Sequence, residues 1–469
     1  MVAPRMSTHF QNRRPSAIRL AQIEFMKRTD SVNVVNTAIG NVSLPMHPAM
    51  QRRMHNLGQY KDFSEGVVKY SPTVGLKETN QTFLHILKAS GLKSDGLYSQ
   101  ITDGGSQAME LIILGVCGAA GSSKSPLLLI DPAYTNYKAM AQRLGRKIVS
   151  IGRKLDESGS YSVPNLKEME RVIKLHKPGA VVVIPYDNPT GQFFDRETMI
   201  AIAKMAVKYN LWFISDEAYR ELYYNYNGSS KNNNSKISSS IWAIDDSDVP
   251  GIEGRRISIE TASKVWNGCG LRIGALITDN KDFHDRSVAE NTANLCSNTI
   301  GQYIFAGLLE ESIDDLHKWF SQQREYYRKM LFNFTSEIKR LLPGIIVSSP
   351  DASIYSVIDV RDLVDKNFDA LDFVMYLAQR GAVDLDGSGT KMTLLVSPMG
   401  EFYNEDKKSS KVSKVSKVSK VSKVSKLKTK IRVSSAGRTQ MRVAYVESPE
   451  KMKLVPKLFA ELFAQYRLS

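Results

Sequence analysis

Short, largely apolar runs mark the middle of the chain, and most are closed by a polar residue or a proline. They occupy residues 127–130, 147–151, 180–184, 211–214, 256–259 and 273–277. Helical spacing lies between several of them, as in Arg196 to Lys208, where Ile200, Ile202, Ala203 and Ala206 recur on one side. Strands that are apolar on both faces and alternate with helices are typical of a parallel sheet covered by helices. The pattern predicts an α/β fold with a mostly parallel central sheet.

The pattern changes after about Thr299. A helical signal runs to Leu342, followed by apolar runs at residues 345–348 and 354–360, a helix at 370–379 and a strand at 441–446. This mixture predicts a smaller α+β domain. We therefore expect a large α/β domain over residues 66–310, with a small domain built from 311–469 and part of residues 1–65.

Two segments lack the composition of a folded core. Residues 224–240 are rich in Asn and Ser, and residues 407–432 are rich in Lys, with five copies of Lys-Val-Ser at 411–425. Lysine at every third position opposes compaction, and the lone Val buries little surface. Both segments are predicted to be solvated insertions in surface loops. Anion binding by the lysine tract remains an open alternative.

The formal charge of +15 comes largely from that tract. It holds ten Lys, one Arg and no acid, so eleven of the fifteen charges are local and the rest of the chain carries +4. A single charged tract is not a basic face on a fold, so no specific nucleic-acid partner is expected.

Composition also indicates the cellular compartment in which the protein is expected. No apolar run reaches the roughly 18 residues of a membrane span. The cysteines, Cys117, Cys269 and Cys296, are far apart and form no CxxC pair, which argues against a metal site and for a reducing, cytoplasmic location. Four arginines precede the first acid, Glu24, so a short basic arm and an organelle transit segment are both open: Arg5, Arg13, Arg14 and Arg19.

Residues suited to chemistry follow the apolar runs, where ligands of parallel sheets bind. Asn188-Pro189-Thr190-Gly191 follows one run, and Asp216 and Tyr219 follow the next. Lys264 comes after a third run, and Arg272 stands eight residues later. Upstream, Gly104-Gly105-Ser106-Gln107 opens a helix, and Tyr134 follows Asp131-Pro132.

Together these motifs resemble the fold-type-I aminotransferases of class I/II, with the aspartate aminotransferase-like enzymes as the nearest subgroup. The resemblance runs from about Pro15 to the C-terminus, apart from the two insertions. It implies the pyridoxal 5′-phosphate (PLP) transferase fold of type I, in which part of the N-terminal region belongs to the small domain. It also implies a ping-pong transfer of an amino group from an L-amino acid, with aspartate as a candidate, to a 2-oxo acid such as 2-oxoglutarate.

The resemblance assigns catalytic roles at three positions. Lys264 corresponds to the lysine that holds PLP as a Schiff base and then shuttles the substrate α-proton. Asp216 corresponds to the carboxylate that keeps the pyridine nitrogen protonated, so that the ring withdraws electrons. Tyr219 and Asn188 are expected to hydrogen-bond the phenolic oxygen of the ring, and Tyr134 is expected to stack on its face.

The phosphate and the substrate carboxylate need cationic or N–H donors. The resemblance places the phosphate at Gly105, Ser106 and Gln107, with Thr261 and Arg272 completing the cradle. Thr261 stands where the family often has Ser, and the hydroxyl is retained. Tyr70 matches a tyrosine that reaches the phosphate from the partner subunit, which implies a homodimer with shared active sites.

The substrate α-carboxylate is assigned to Arg442, with Gly40 and Asn188 beside it, because a guanidinium can bind a carboxylate through two parallel N–H groups. The preceding Pro398-Met399-Gly400-Glu401-Phe402 departs from the usual Pro-Gly-x-x-Phe, which puts that turn in doubt. A dicarboxylate donor would need a second cation, for which Arg14 and Arg19 are the candidates.

Two rival functions remain open. A PLP-dependent lyase or synthase would share the cofactor residues, and a non-catalytic PLP-binding or regulatory protein would share the fold. Only about 14 residues precede the resemblance, too few for the helix-turn-helix of such regulators.

Overall fold

The computed structural model describes residues 4–224, 239–348, 351–404 and 435–468. All of the predicted insertion 407–432 and most of 224–240 lie outside these residues, so their prediction stays untested. The strands, in chain order, are β1 (Asn33–Asn36), β2 (Tyr98–Asp103), β3 (Leu127–Asp131), β4 (Ile148–Gly152), β5 (Ala180–Val183), β6 (Trp212–Asp216), β7 (Arg256–Thr261), β8 (Ile273–Thr278), β9 (Ile346–Val347), β10 (Tyr355–Asp359), β11 (Met392–Leu395), β12 (Ser397–Pro398) and β13 (Gln440–Ala444).

The helices pack around these strands. In chain order they are α1 (Thr8–Asn12), α2 (Ala17–Phe25), α3 (Pro48–His55), α4 (Lys77–Ala89), α5 (Gly104–Val116), α6 (Thr135–Arg143), α7 (Leu166–His176), α8 (Arg196–Lys208), α9 (Lys281–Asn291), α10 (Thr299–Ala306), α11 (Ile313–Leu341), α12 (Ala370–Gln379) and α13 (Pro449–Arg467).

Within the described residues, the central sheet has seven strands in the order β2-β8-β7-β6-β5-β3-β4. Neighbouring pairs from β7 through β6, β5 and β3 to β4 are parallel, whereas β8 is antiparallel to both β7 and β2. The expectation of an α/β fold with a mostly parallel sheet is confirmed. Each predicted apolar run became a strand. β3, β5, β7 and β8 are buried on both faces, whereas the edge strand β4 is only partly buried.

The edge strand β2 was not predicted. Its sequence, Tyr-Ser-Gln-Ile-Thr-Asp, has no continuous apolar run, although residues 99–102 are buried. The side chains of Gln100 and Thr102 are hydrogen-bonded: Gln100 accepts from Ser287 Oγ at 2.7 Å, and Thr102 Oγ1 donates to Gly104 O at 3.0 Å. Burial with hydrogen-bonded polar side chains leaves no hydrophobic signal in the sequence.

A smaller unit lies beside the central sheet. It contains an antiparallel sheet in the order β12-β13-β10-β9, and a parallel pair that joins β1 near the N-terminus to β11. The predicted helical region 299–342 is divided into α10, the turn Gly307–Glu310 and α11. Ser312 begins the second helix by accepting a hydrogen bond from Asp315 N at 3.2 Å, as N-caps do. The predicted domain limits at residues 65 and 310 stay predictions.

No described helix is both long enough and apolar enough to cross a membrane.

Candidate active site

Most of the predicted cofactor residues lie at the carboxyl ends of the parallel strands of the central sheet. Asp216 and Thr261 are the last residues of the parallel strands β6 and β7, and Lys264 follows three residues after β7. Because β8 runs antiparallel to β7, its first residues lie beside the carboxyl end of β7, and Arg272 directly precedes β8. Helix α5 begins there at Gly104, immediately after β2. The strand ends therefore bring an amine, a carboxylate, a guanidinium and a helix N-terminus together.

The Lys264 amine contacts the N-terminal part of the chain. Its Nζ donates a hydrogen bond to the carbonyl oxygen of Gly40. A Cβ atom added at Gly40 would collide with the Tyr355 hydroxyl and lie 3.3 Å from Lys264 Nζ. A glycine is needed at position 40 because the backbone passes so close to both groups.

The Asp216 carboxylate is held on both oxygens. One accepts a hydrogen bond from the Tyr137 hydroxyl and the other accepts from Ala218 N at 3.1 Å. Burial raises the pKa of Asp216 above its usual range, although the Tyr137 hydrogen bond and the Lys264 charge lower it. A protonated pyridine nitrogen nearby would favour the ionised carboxylate in the same way. The residue has the position and the chemistry of a partner for such a nitrogen.

Tyr219 and Asn188 belong to one buried network with Arg442. The Tyr219 hydroxyl accepts from Asn188 Nδ2 at 3.2 Å and lies 2.9 Å from the Tyr355 hydroxyl. The Asn188 Oδ1 accepts from Arg442 Nη1 at 2.9 Å. The amide of Asn188 thus connects the predicted cofactor residue Tyr219 to the predicted carboxylate-binding residue.

Arg442 is a buried cation held by neutral groups. It is 3% exposed, and its second Nη donates to Ala38 O at 2.8 Å. Its guanidinium carbon lies 4.4 Å from the centre of the Tyr355 ring and 5.1 Å from that of Phe402. Among the described residues no carboxylate pairs with it, and its Nε has no hydrogen-bond partner. A buried charge without a counter-ion is costly, so an anionic ligand would stabilise it.

The start of α5 has the features of an anion-binding site. Asp103 occupies the N-cap position but its side chain makes no capping hydrogen bond, which leaves backbone N–H groups of the first turn available. Gly104 has φ +69°, and an added Cβ would collide with the Arg272 guanidinium. Arg272 Nη1 donates to Cys269 O at 3.0 Å. The guanidinium and the helix terminus are therefore adjacent.

The other predicted cradle residues contribute in different ways. Gly105 and Ser106 lie in the first turn of α5. The Gln107 side chain accepts from Asp103 N and donates to Asn291 Oδ1, which fixes its position beside the start of α5. The Thr261 hydroxyl lies 2.7 Å from the Ser263 hydroxyl.

Two predicted tyrosines have different surroundings. Tyr134 precedes α6 and packs edge-to-face on Tyr137 with ring centres 5.4 Å apart. Burial raises the pKa of Tyr134 to about 12, so its phenol stays neutral near pH 7. Tyr70 is 78% exposed. The described contacts within one chain do not bring Tyr70 to the other site residues.

Four residues were missed in the sequence: Tyr137, Ser263, Tyr355 and Phe402. Tyr137 lies three residues after Tyr134, the spacing of one helix face, and could have been found from that spacing. Tyr355 lies within the apolar run 354–360, so its hydroxyl was concealed among core residues. Phe402 was noticed only as part of a turn.

Taken together, the functional groups of these residues fit PLP. An amine, a carboxylate, a phenol with an amide, and an N–H cradle with a guanidinium match its aldehyde, pyridine nitrogen, phenolic oxygen and phosphate. No group of three or more His, Cys, Asp or Glu side chains that could hold a metal occurs in the described part of the chain.

Comparison with known proteins identifies the family of the chain. The sequence profile of aminotransferase class I and II matches residues 32–389. A probable aspartate aminotransferase of Methanocaldococcus jannaschii is 25% identical over 77% of this chain and 86% of its own. Human kynurenine–oxoglutarate transaminase 3 is 25% identical over 76% of this chain and 78% of its own.

The fold of the chain also matches that of a solved structure. A single mutant of Thermus thermophilus aspartate aminotransferase superposes with a TM-score of 0.73 at 18% identity, covering 98% of this chain and all of that one. The resemblance inferred from the motifs and the expected fold type are confirmed. The chain belongs to the aminotransferase class I and II family, enzymes that use pyridoxal phosphate to move an amino group from an amino acid to a 2-oxo acid.

Proposed function

We propose that this chain binds PLP between Lys264 and Asp216 and transfers amino groups from an acidic L-amino acid to a 2-oxo acid. The observation that carries the proposal is the proximity of three groups: the Lys264 amine, the Asp216 carboxylate on which its charge acts, and the Arg442 guanidinium, which no carboxylate pairs with among the described residues. Tyr355 connects them, because its hydroxyl lies beside Gly40 and its ring lies against Arg442. The amine and the carboxylate serve the cofactor, and the guanidinium serves the substrate.

When bound, PLP supplies an electron sink for the pair of electrons left when the substrate α-proton is removed. Lys264 takes that proton on Nζ and returns it, and the Gly40 carbonyl orients the amine for the task. Asp216 keeps a proton on the ring nitrogen, while Tyr137 and Ala218 fix its two oxygens. Tyr219 and Asn188 present a hydroxyl and an amide to the phenolic oxygen.

Arg442 orients the substrate through its α-carboxylate. The two Nη atoms already donate to Asn188 and Ala38, so a carboxylate approaching the guanidinium joins an existing network. The rings of Tyr355 and Phe402 exclude water from the guanidinium faces, which strengthens the charge pairing.

Arg19 is proposed to recognise a second carboxylate on the substrate side chain. It lines a cleft of about 460 Å³ that Gly40 and Arg272 also line. Its Nη1 donates to Gln22 at 2.9 Å, and no carboxylate pairs with it among the described residues. Glu447 shares the cleft, but its oxygens bind Asn36 N and Lys451. The aspartate aminotransferase names of relatives support an acidic donor, whereas a kynurenine transaminase relative favours an aromatic one.

A homodimer with shared sites is part of the proposal. Tyr70 is 78% exposed, and its neighbours Val67 and Val68 are 46% and 54% exposed. Apolar and aromatic side chains exposed together suit a surface that a second copy covers. A cytoplasmic location is also proposed, since Cys117, Cys269 and Cys296 are all unbridged.

The test is an amino-acid screen on purified protein loaded with PLP. We expect absorbance of the bound cofactor to change with aspartate or glutamate, and 2-oxo acid to accumulate only when an acceptor is present. Ammonia release without an acceptor would instead support a lyase. Lys264→Ala should abolish the reaction, and absence of any response to all amino acids in the wild type would refute the proposal.

Side-chain recognition is tested with a matched pair. Arg19→Gln should lower kcat/KM for aspartate by roughly 10- to 100-fold, chiefly through KM, and leave alanine almost unaffected, since one charge-assisted pair is lost. Arg14→Gln is the control, because Arg14 binds only nearby backbone carbonyls and does not line the cleft. Equal losses for both donors would contradict the role of Arg19.

A further inference from the structure

Tyr355 contacts residues on both the cofactor side and the substrate side of the candidate active site. It is the first residue of β10, it is buried, and its hydroxyl lies 2.9 Å from the Tyr219 hydroxyl. The two tyrosine rings pack edge to face with their centres 5.6 Å apart. The Tyr355 ring also packs on the Arg442 guanidinium, 4.4 Å away. Tyr355 therefore contacts one residue expected to bind the cofactor and one expected to bind the substrate.

The donors present determine the direction of the hydrogen bonds around Tyr219. An arginine can only donate, so the Asn188 side-chain oxygen faces Arg442 and the Asn188 side-chain nitrogen faces Tyr219. The Tyr219 oxygen therefore accepts from Asn188 Nδ2 at 3.2 Å. A hydroxyl group has one proton to donate, and its oxygen can accept up to two hydrogen bonds. Tyr219 thus retains one proton and one acceptor position for its other partners.

The hydrogen bond between Tyr219 and Tyr355 has two directions, since either hydroxyl can be the donor. If Tyr219 donates, its only proton is used within the protein and none is left for a ligand. If Tyr355 donates, the Tyr219 oxygen accepts from both Tyr355 and Asn188, and its proton is free for an acceptor in the pocket. Burial raises the pKa of Tyr219 well above its usual value, so Tyr219 keeps that proton at neutral pH.

We propose that Tyr355 is a positioning residue of the cofactor site, which donates its hydroxyl proton to Tyr219 and so leaves the Tyr219 proton for the phenolic oxygen of PLP. The inference rests on the proposed function, in which Tyr219 faces that oxygen. Two donors on the Tyr219 oxygen make its own O–H a stronger donor, because hydrogen bonds in a chain polarise one another. A stronger donor draws off the negative charge on the phenolic oxygen that helps to hold a proton on the Lys264 nitrogen bonded to PLP. Tyr355 thereby lowers the pKa of that nitrogen.

Other titratable groups act on the same part of the pocket and are left unchanged by Tyr355→Phe. They come from β6, the turn after β7, the residue before β8, β13, the start of α6 and α11: Asp216, Lys264, Arg272, Arg442, Tyr134 and Tyr327. The substitution removes one hydroxyl and retains the ring that packs on Arg442. A difference between the two proteins is therefore due to the hydroxyl.

The experiment is a pH titration of the cofactor absorbance in PLP-loaded wild type and Tyr355→Phe. The absorbance changes when the nitrogen that joins Lys264 to PLP loses its proton. We expect the midpoint to rise by roughly 0.3–0.5 pH units in Tyr355→Phe, because the Tyr219 hydrogen bond is weakened and not lost. Tyr219→Phe removes that bond, so its midpoint should rise by at least about one pH unit. An unchanged midpoint in Tyr355→Phe would overturn the proposal.

A double variant tests whether Tyr355 acts through Tyr219. In the Tyr219→Phe background there is no Tyr219 hydroxyl to strengthen. Adding Tyr355→Phe should therefore move the midpoint by no more than about 0.1 pH units. A merely structural role would move the midpoint equally in both backgrounds, and that result would overturn the proposal.

Tyr445→Phe is the matched control. Tyr445 is fully buried, and its hydroxyl donates to Ser356 Oγ at 3.0 Å, one residue after Tyr355 in β10. The same atom is removed from a comparable environment, and the midpoint should equal that of the wild type. A midpoint that rises as much in Tyr445→Phe as in Tyr355→Phe would overturn the proposal, because loss of any buried hydroxyl in this region would then have the same effect.

If Tyr355→Phe fails to fold, a ring-fluorinated tyrosine at position 355 serves instead. Fluorine makes the hydroxyl a stronger donor, so the midpoint should fall, and a rise or no change would overturn the proposal. A wild type that takes up no PLP would refute the proposed function and this inference with it. A normal wild-type titration with an unchanged midpoint in Tyr355→Phe would overturn the inference alone.

Discussion

At the scale of single residues, Arg442 carries the most chemical information. Fully buried arginines elsewhere in the chain pair with acids, as Arg153 does with Asp187 at 2.5 Å and Arg220 does with Glu260. Among the described residues, Arg442 contacts an amide, a backbone carbonyl and two aromatic rings, and no carboxylate pairs with it. The sequence shows an arginine in a strand, whereas the structure shows that no described carboxylate pairs with it, which supports the proposal that a ligand supplies the counter-charge.

Arg442→Gln should lower kcat/KM for every amino donor by roughly 10²- to 10³-fold, because a buried charge-assisted pair is lost. Arg442→Lys should recover part of the loss, since it retains the charge without the two parallel N–H groups. Steady-state kinetics with acidic and neutral donors provide the measurement. Arg361→Gln is the control, as Arg361 pairs with Asp359 outside the site.

The strand-end residues could be predicted because each belongs to a local motif whose order along the chain is informative. Asp216, Tyr219 and Lys264 were all identified in this way. Tyr355 could not be predicted in this way, because a tyrosine within an apolar run looks like a core residue until the position of its hydroxyl is known. Its contacts with Tyr219 and Arg442 join parts of the chain separated by more than 80 residues.

At the scale of elements, the start of α5 is the predicted binding site for the cofactor phosphate. Gly104 combines a positive φ with close approach to the Arg272 guanidinium, whereas Gly91 has a similar φ of +73° and no atom within 4 Å of an added Cβ. Alanine at either position would strain the backbone, but only alanine at position 104 would also collide with the Arg272 guanidinium.

Gly104→Ala and Gly91→Ala should each cost about 1–2 kcal/mol of stability, since both force alanine into the left-handed region. Only Gly104→Ala should also weaken PLP binding, by at least roughly tenfold, because its Cβ displaces Arg272. Thermal unfolding of the apoproteins and PLP titration measure the two effects. Equal PLP affinity in the two variants would count against a cradle at this helix.

At the scale of the whole molecule, the pocket is assembled from distant parts of the chain. Arg442 binds the carbonyl of Ala38 across 404 residues of sequence, and β1 pairs with β11. Such contacts leave no local pattern, so the substrate side of the pocket was predicted from resemblance alone. Hydrophobic periodicity predicted the strand ends at which most of the predicted cofactor residues lie, and the resemblance supplied their roles.

Shared sites predict complementation between two inactive variants. Lys264→Ala lacks the amine, and Tyr70→Ala lacks the residue that a partner would supply. After denaturation and refolding together, the mixed dimers should contain one intact site each, and activity should reach up to about a quarter of the wild type. Activity no higher than the sum of the separate variants would contradict a site built from two subunits.

The central claim is that the Lys264 amine bonds the cofactor. The most direct measurement is borohydride reduction of the PLP-loaded protein, followed by digestion and mass spectrometry of the peptides. The account predicts a phosphopyridoxyl group on the peptide that contains Lys264, and no such group in Lys264→Ala. Attachment to a different lysine, or to none, would contradict it.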